Sequence, residues 1–175
     1  MVASLLVYII FFMITNKISE DKLVKLKDIA LLYLIVSVSS FFIVTTMKCV
    51  WGRERYRSLS SDYKEYTNFL TINGFSMGLI GDEYHSFPSG HTNAATSILI
   101  LGLIPSRFNL KRWIKYLVNF ICFSYVVLVA ISRIGVGAHY ASDVLFGFGV
   151  SISCFLITYT IFKKKGWLYA RSDKC

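Results

Sequence analysis

Apolar residues in this chain come in blocks nearly as long as a bilayer core is thick, and most of the charge lies between them. Val2 to Thr15 is almost entirely apolar and closes at Asn16 and Lys17. Ile29 to Met47 is a second run, close to the ~20 residues that cross a hydrocarbon core, and it ends at Lys48. A third runs from Thr92 to Ile104 and closes at Pro105, a fourth from Tyr116 to Ile131, and a fifth from Tyr140 to Phe162, stopped by Lys163, Lys164 and Lys165. The expected fold is all-α, a transmembrane helical bundle with five apparent spans in one membrane-embedded domain over residues 1–175. The first run lacks the basic start and small-residue cleavage site of a signal peptide, so it reads as a span. The third is short, and its first turns carry Thr92, Asn93, Thr96 and Ser97. Such a helix should face protein or a cavity rather than lipid.

The longest polar connection is residues 48–91. It holds Arg53, Arg55 and Arg57, turn signals at Asn73-Gly74 and Gly81-Asp82, and the aromatics Tyr56, Tyr63, Tyr66, Phe69, Phe75, Tyr84 and Phe87. Aromatics of this kind favour the membrane–water interface, and residues 62–72 are expected to form a short interfacial helix.

Composition strengthens the membrane reading. The chain is 55% hydrophobic and 16% aromatic, with mean hydropathy +0.56, too apolar for an ordinary soluble domain. The net charge of +9 does not call for nucleic acid, because lysine and arginine collect on cytoplasmic loops. Five spans put 13 of the 19 basic residues on one side, from the 17–28, 107–115 and 163–175 segments. That side is expected to be cytoplasmic, in a plasma or inner membrane. Lys48, Arg53, Arg55, Arg57, Lys64 and Arg133 fall on the other, so the 48–91 connection and the loop before His139 share the outer face. Cys49, Cys122, Cys154 and Cys175 form no CxxC pair, and neither a disulfide framework nor a metal site is expected.

Against this background the stretch from Ser132 to Asp143 stands out. It offers Arg133, His139 and Asp143 between two apolar runs. If a helix starts near His139, Asp143 lies one turn on, on the same face. Its carboxylate can then accept the Nδ1 hydrogen and leave the other ring nitrogen free as nucleophile or base. Arg133 is the counter-charge for an anionic substrate such as a phosphate. In the long connection, Ser89 is a candidate N-cap, Gly90 allows close backbone approach to a ligand, and His91 stands beside a helix N-terminus that can bind an anion. Lys48 and Arg55 add two cations. The convergence of these groups fits a phosphate ester.

The three stretches resemble the type 2 phosphatidic acid phosphatase superfamily, which also contains vanadium-dependent haloperoxidases. Its pattern is Lys-x6-Arg-Pro, then Pro-Ser-Gly-His, then Ser-Arg-x5-His-x3-Asp. Lys48 and Arg55 match the first except that Tyr56 replaces the proline; Pro88 to His91 match the second; Ser132, Arg133, His139 and Asp143 match the third. The resemblance implies that His139 attacks phosphorus to form a phosphohistidine, oriented by Asp143, and that His91 protonates the leaving oxygen and then activates water. It also implies that Lys48, Arg55 and Arg133 hold the phosphoryl oxygens with the Ser89 hydroxyl and Gly90 amide, without cofactor or metal. The substrate would be a membrane lipid phosphate or a polyprenyl diphosphate. The membrane branch usually has six spans, so the chain is expected to lack the family's first helix. Tyr56 is expected to change the loop path but not the roles of Lys48 and Arg55. Two alternatives stay open: transfer of the phosphoryl group to an acceptor other than water at the same site, and a membrane protein that binds lipid phosphate without turnover. Arg53 and Arg57 read as lipid or headgroup contacts, and His85, which fits no motif position, as a loop residue. The pattern does not specify an oligomeric state.

Overall fold

The computed structural model describes residues 19–62, 64, 66–74 and 81–167. Five α-helices carry the fold: α1 (Glu20–Trp51), α2 (Gly90–Ser97), α3 (Ile104–Arg107), α4 (Arg112–Gly135) and α5 (Ala141–Lys164), and there is no strand among the described residues. α1, α4 and α5 are long and apolar enough to cross a membrane. They correspond to the second, fourth and fifth predicted spans; the first lies outside the described residues.

The third predicted span is helical throughout, but not as one α-helix. α2 passes into a 3-10 segment, Ile98–Leu103, before α3. Pro105 does not close the element, as expected, but lies in the first turn of α3. The cause is local. Proline has no N–H to give the carbonyl four residues back, and the Ile104 N–H takes the Leu101 carbonyl instead, an i→i+3 bond.

Two contacts show that α1 runs antiparallel to the α2–α3 segment. At one end Arg107 pairs with Asp28 at 2.8 Å. At the other, the Lys48 side chain lies beside Gly90. α5 packs against both, closing a core of Ile29, Leu32, Val36, Ile100, Cys154 and Phe162. Thr92, Asn93, Thr96 and Ser97 are buried, as their polarity in an apolar block suggested. The Asn93 amide donates to the Ser40 hydroxyl of α1 at 3.1 Å, and the Ser97 and Ser151 hydroxyls meet at 3.4 Å between α2 and α5. Such interhelical hydrogen bonds hold helices together where apolar surface gives no preference for protein over lipid. α4 turns most of its apolar side chains outward, Phe120 and Leu128 among them. The described cysteines, Cys49, Cys122 and Cys154, are free thiols.

The interfacial helix expected over 62–72 is not present: its described residues are turns and extended chain. Their main-chain groups are bound elsewhere. The Trp51 indole donates to the Phe69 carbonyl at 2.7 Å, the Arg53 Nε to the Thr67 carbonyl at 3.2 Å, and the Asn73 N–H to the Trp51 carbonyl at 3.0 Å. The segment is thus strapped across the end of α1, and within it a turn closes from the Thr71 N–H to the Asn68 carbonyl at 3.0 Å. Phe69, Phe87 and Phe146 stack beneath it, with Phe87 and Phe146 4.8 Å apart.

Candidate active site

α1 stops at Gly52, whose left-handed backbone (φ 54°) returns its N–H to the Lys48 carbonyl. A glycine meets that geometry at least cost. The stop leaves Lys48 in the last turn of α1, where its ammonium donates to the His85 carbonyl at 2.5 Å. Beyond the turn, Arg55 has the extended backbone (φ −75°, ψ 143°) that a following proline demands. A proline would be accommodated after Arg55, but Tyr56 stands there and stacks edge-on against Tyr140, centroids 6.0 Å apart. Arg55 reaches the Asp82 carboxylate at 2.6 Å.

Ser89 caps α2 as expected, its hydroxyl accepting the Thr92 N–H at 3.4 Å. It is wholly buried, and its hydroxyl also meets that of Thr92 at 3.0 Å. The cap locks the Pro88–His91 turn against α5, where the Ser89 N–H donates to the Asp143 carbonyl at 2.9 Å. His91 opens outward from the first turn of α2.

α5 begins at Ala141, two residues later than the His139 start considered above, and this changes the hydrogen bonding. Asp143 falls in the first turn, and its Oδ2 accepts the Tyr140 N–H at 2.9 Å, as an acidic residue at this position of a helix does. Oδ2 also accepts the Ser86 hydroxyl at 2.5 Å. The expected His139–Asp143 hydrogen bond is absent: the Nδ1 of His139 lies 3.9 Å from the carboxylate. Nδ1 instead lies 2.6 Å from the Ser86 carbonyl. A carbonyl can only accept, so Nδ1 donates and Nε2 keeps its lone pair. The tautomer is the one anticipated, set by a different partner.

Arg53 also differs from expectation. It is not a lipid contact but 1% exposed. Its Nη1 donates to Asp143 Oδ1 at 2.5 Å and to the Ser142 hydroxyl at 2.8 Å, and its guanidinium lies 3.9 Å from the Tyr140 ring centroid. Sequence reasoning missed Arg53, Ser86 and Asp82. The Ser86 carbonyl has no side-chain signature. An Asp three residues after Tyr140 was a readable hint that the carboxylate caps a helix.

The charged groups act on one another electrostatically. Burial, and then the Lys48 ammonium, push the His139 imidazole down to about 3, with Arg55 and His91 adding to the effect against the Ser86 hydrogen bond. Burial also lowers His91, followed by Arg133, Lys48 and Arg55. Lys48, Arg55, His91, Arg133 and His139 are thus brought together from three parts of the chain. Both imidazoles are shifted toward the neutral form by burial and by the same cations, Lys48 and Arg55.

A fold of long apolar helices with this cluster of histidines and cations belongs to a recognisable class. The PAP2 superfamily model matches residues 29–167, and the chain is a member of that superfamily. Its general function is of the phosphatase type, and the long apolar helices make it a membrane protein. Comparison with curated proteins and with solved structures gave no match.

Proposed function

We propose that the protein is a lipid phosphatase that hydrolyses a membrane lipid phosphate or polyprenyl diphosphate through a phosphohistidine, with its site at the outer face of a plasma or inner membrane. The observation that carries the reading is an Nδ1-donating His139 within electrostatic reach of Lys48, Arg55 and His91, with Arg133 in turn within reach of His91. The Nε2 lone pair attacks phosphorus as the bond to the leaving oxygen breaks, and His91 gives that oxygen its proton. In the second half His91 takes a proton from water, which displaces the imidazole and releases phosphate. Lys48, Arg55 and Arg133 carry the charge of the five-coordinate phosphoryl group, with the N-terminus of α2 at Gly90 nearby. Ser89 acts as the cap that holds this turn, its hydroxyl being committed to Thr92. Asp143 keeps the Ser86 loop in place and offers negative charge near the imidazolium. The excess of basic residues on the opposite loops favours the outer face.

The test is phosphate release by protein purified in detergent, with a panel of lipid phosphates and with vanadate or chelator added. Vanadate should inhibit as a five-coordinate mimic, and chelator should have no effect. Loss of activity with chelator would remove the metal-free scheme. Phosphate appearing on an added alcohol instead of in solution would make the protein a phosphotransferase.

A further inference from the structure

We propose that Arg53 is a positioning residue for the attacking imidazole, acting on His139 through Asp143 and Ser86. This inference rests on the phosphatase reading. It concerns a side chain that lies between the two cations of the first motif and is not one of them.

Arg53 holds Ser86 in two ways. Its main-chain carbonyl accepts the Ser86 N–H at 3.0 Å. Its guanidinium fixes Asp143 Oδ1, while Oδ2 of the same carboxylate takes the Ser86 hydroxyl. Ser86 in turn presents the carbonyl that holds Nδ1 of His139. The path from guanidinium to imidazole therefore runs through Asp143 to the Ser86 hydroxyl and, across the covalent frame of Ser86, from its main-chain carbonyl to His139, with each hydrogen bond at 2.5 or 2.6 Å. Arg53, Ser86, His139 and Asp143 are each at most 3% exposed, so water does not substitute readily for a missing member.

The guanidinium is itself fixed. Beyond Asp143 it donates to the Ser142 hydroxyl and the Thr67 carbonyl, and it lies against the Tyr140 ring. Three directed donor contacts and a flat stacking face suit arginine and not lysine. Arg53 reaches neither the phosphoryl oxygens nor the leaving group in this scheme. As Nε2 bonds to phosphorus, the ring becomes positive and its Nδ1–H bond to Ser86 strengthens. A Ser86 carbonyl held in place keeps Nε2 in line with the leaving oxygen. A small displacement at this point can cost ~10²-fold in rate.

The experiment compares wild type with Arg53→Lys and Arg53→Met, using a soluble aryl phosphate, inorganic phosphate and orthovanadate as probes. Turnover is expected to fall ~10- to 100-fold in both variants. KM and inhibition by inorganic phosphate should stay near wild type, since Lys48, Arg55 and Arg133 are untouched. Inhibition by vanadate, which needs an aligned Nε2, should weaken along with turnover. The 15N resonances of His139 give a reading independent of activity. Wild type should show a protonated Nδ1 and a bare Nε2, and Arg53→Met a mixture of tautomers.

Full turnover in both variants, or phosphate and vanadate inhibition weakening in step, overturns the proposal. So does failure of both variants to fold, which assigns Arg53 to the scaffold alone. Wild type that releases no phosphate from any substrate removes the phosphatase reading. The tautomer comparison then still decides whether Arg53 orders His139.

Discussion

Gly147 of α5 lies directly against the backbone of Ser89: a Cβ added there would meet the Ser89 carbonyl oxygen at 2.3 Å. The atom in the way is main chain, so no side chain can swing aside. Gly147→Ala should shift the turn that carries His91 and destabilise the fold by ~1–3 kcal/mol, the usual range for an overpacked core. Gly149 is the control, because a Cβ there meets nothing within 4 Å. Thermal unfolding in detergent and phosphate release should both fall for Gly147→Ala and hold for Gly149→Ala.

Asp82 occupies Arg55, at 2.6 Å, while itself remaining largely exposed. In the proposed scheme it therefore competes with substrate for Arg55. With its carboxylate in solvent, a pair of this kind is worth about 1 kcal/mol, or about fivefold in binding. Asp82→Asn should lower KM and the phosphate inhibition constant by no more than that factor and leave kcat unchanged. Initial-rate kinetics with phosphate as inhibitor check this, and a raised KM would show that Asp82 organises Arg55 for substrate.

The two histidines fix the pH profile. In the proposed mechanism His139 attacks only when neutral, so kcat/KM should fall on the acid side as pH drops toward about 3. His91 gives its proton only when charged, and its pKa is lowered from the ordinary value. The basic limb should therefore lie below the usual histidine range near ~6.5, and activity should be greatest in mild acid. The measurement is kcat/KM against pH with an alkyl phosphate, after subtracting the substrate's own ionisation.

Leaving-group chemistry separates the same two residues. His139→Ala should abolish turnover of every substrate. His91→Ala should cost ~10²–10⁴-fold with a poor leaving group, the range for general acid–base help, and much less with an aryl phosphate that departs without a proton. Equal losses on both substrates would show that His91 is not the acid.

Where the sequence was legible, local chemistry was decisive. Apolar blocks gave α1, α4 and α5, Ser89 before an apolar run gave a cap, and the spacing of Lys48, Arg55, His91, Arg133 and His139 marked residues that meet. Where it was not, a distant partner decided the outcome. Arg53, Arg55 and Arg57 look alike in the chain, and only Arg53 is buried, because Thr67 and Ser142 receive it. The four-residue spacing of His139 and Asp143 suggested a hydrogen bond, but α5 starts at Ala141 and its first turn claims the carboxylate. The 62–72 segment has helix-compatible residues, yet its carbonyls answer Trp51 and Arg53.

α1 has 32 residues, about 48 Å of helix at 1.5 Å per residue, against a hydrocarbon layer of ~30 Å. The surplus means that lipid grips only part of the rod while Lys48 rides near its tip. A thicker or thinner bilayer tilts such a rod or slides it, and the ammonium then rises or sinks relative to the surface where headgroups lie. Under the proposed scheme, membrane thickness thereby becomes a mechanical setting on how well this cation meets its anion.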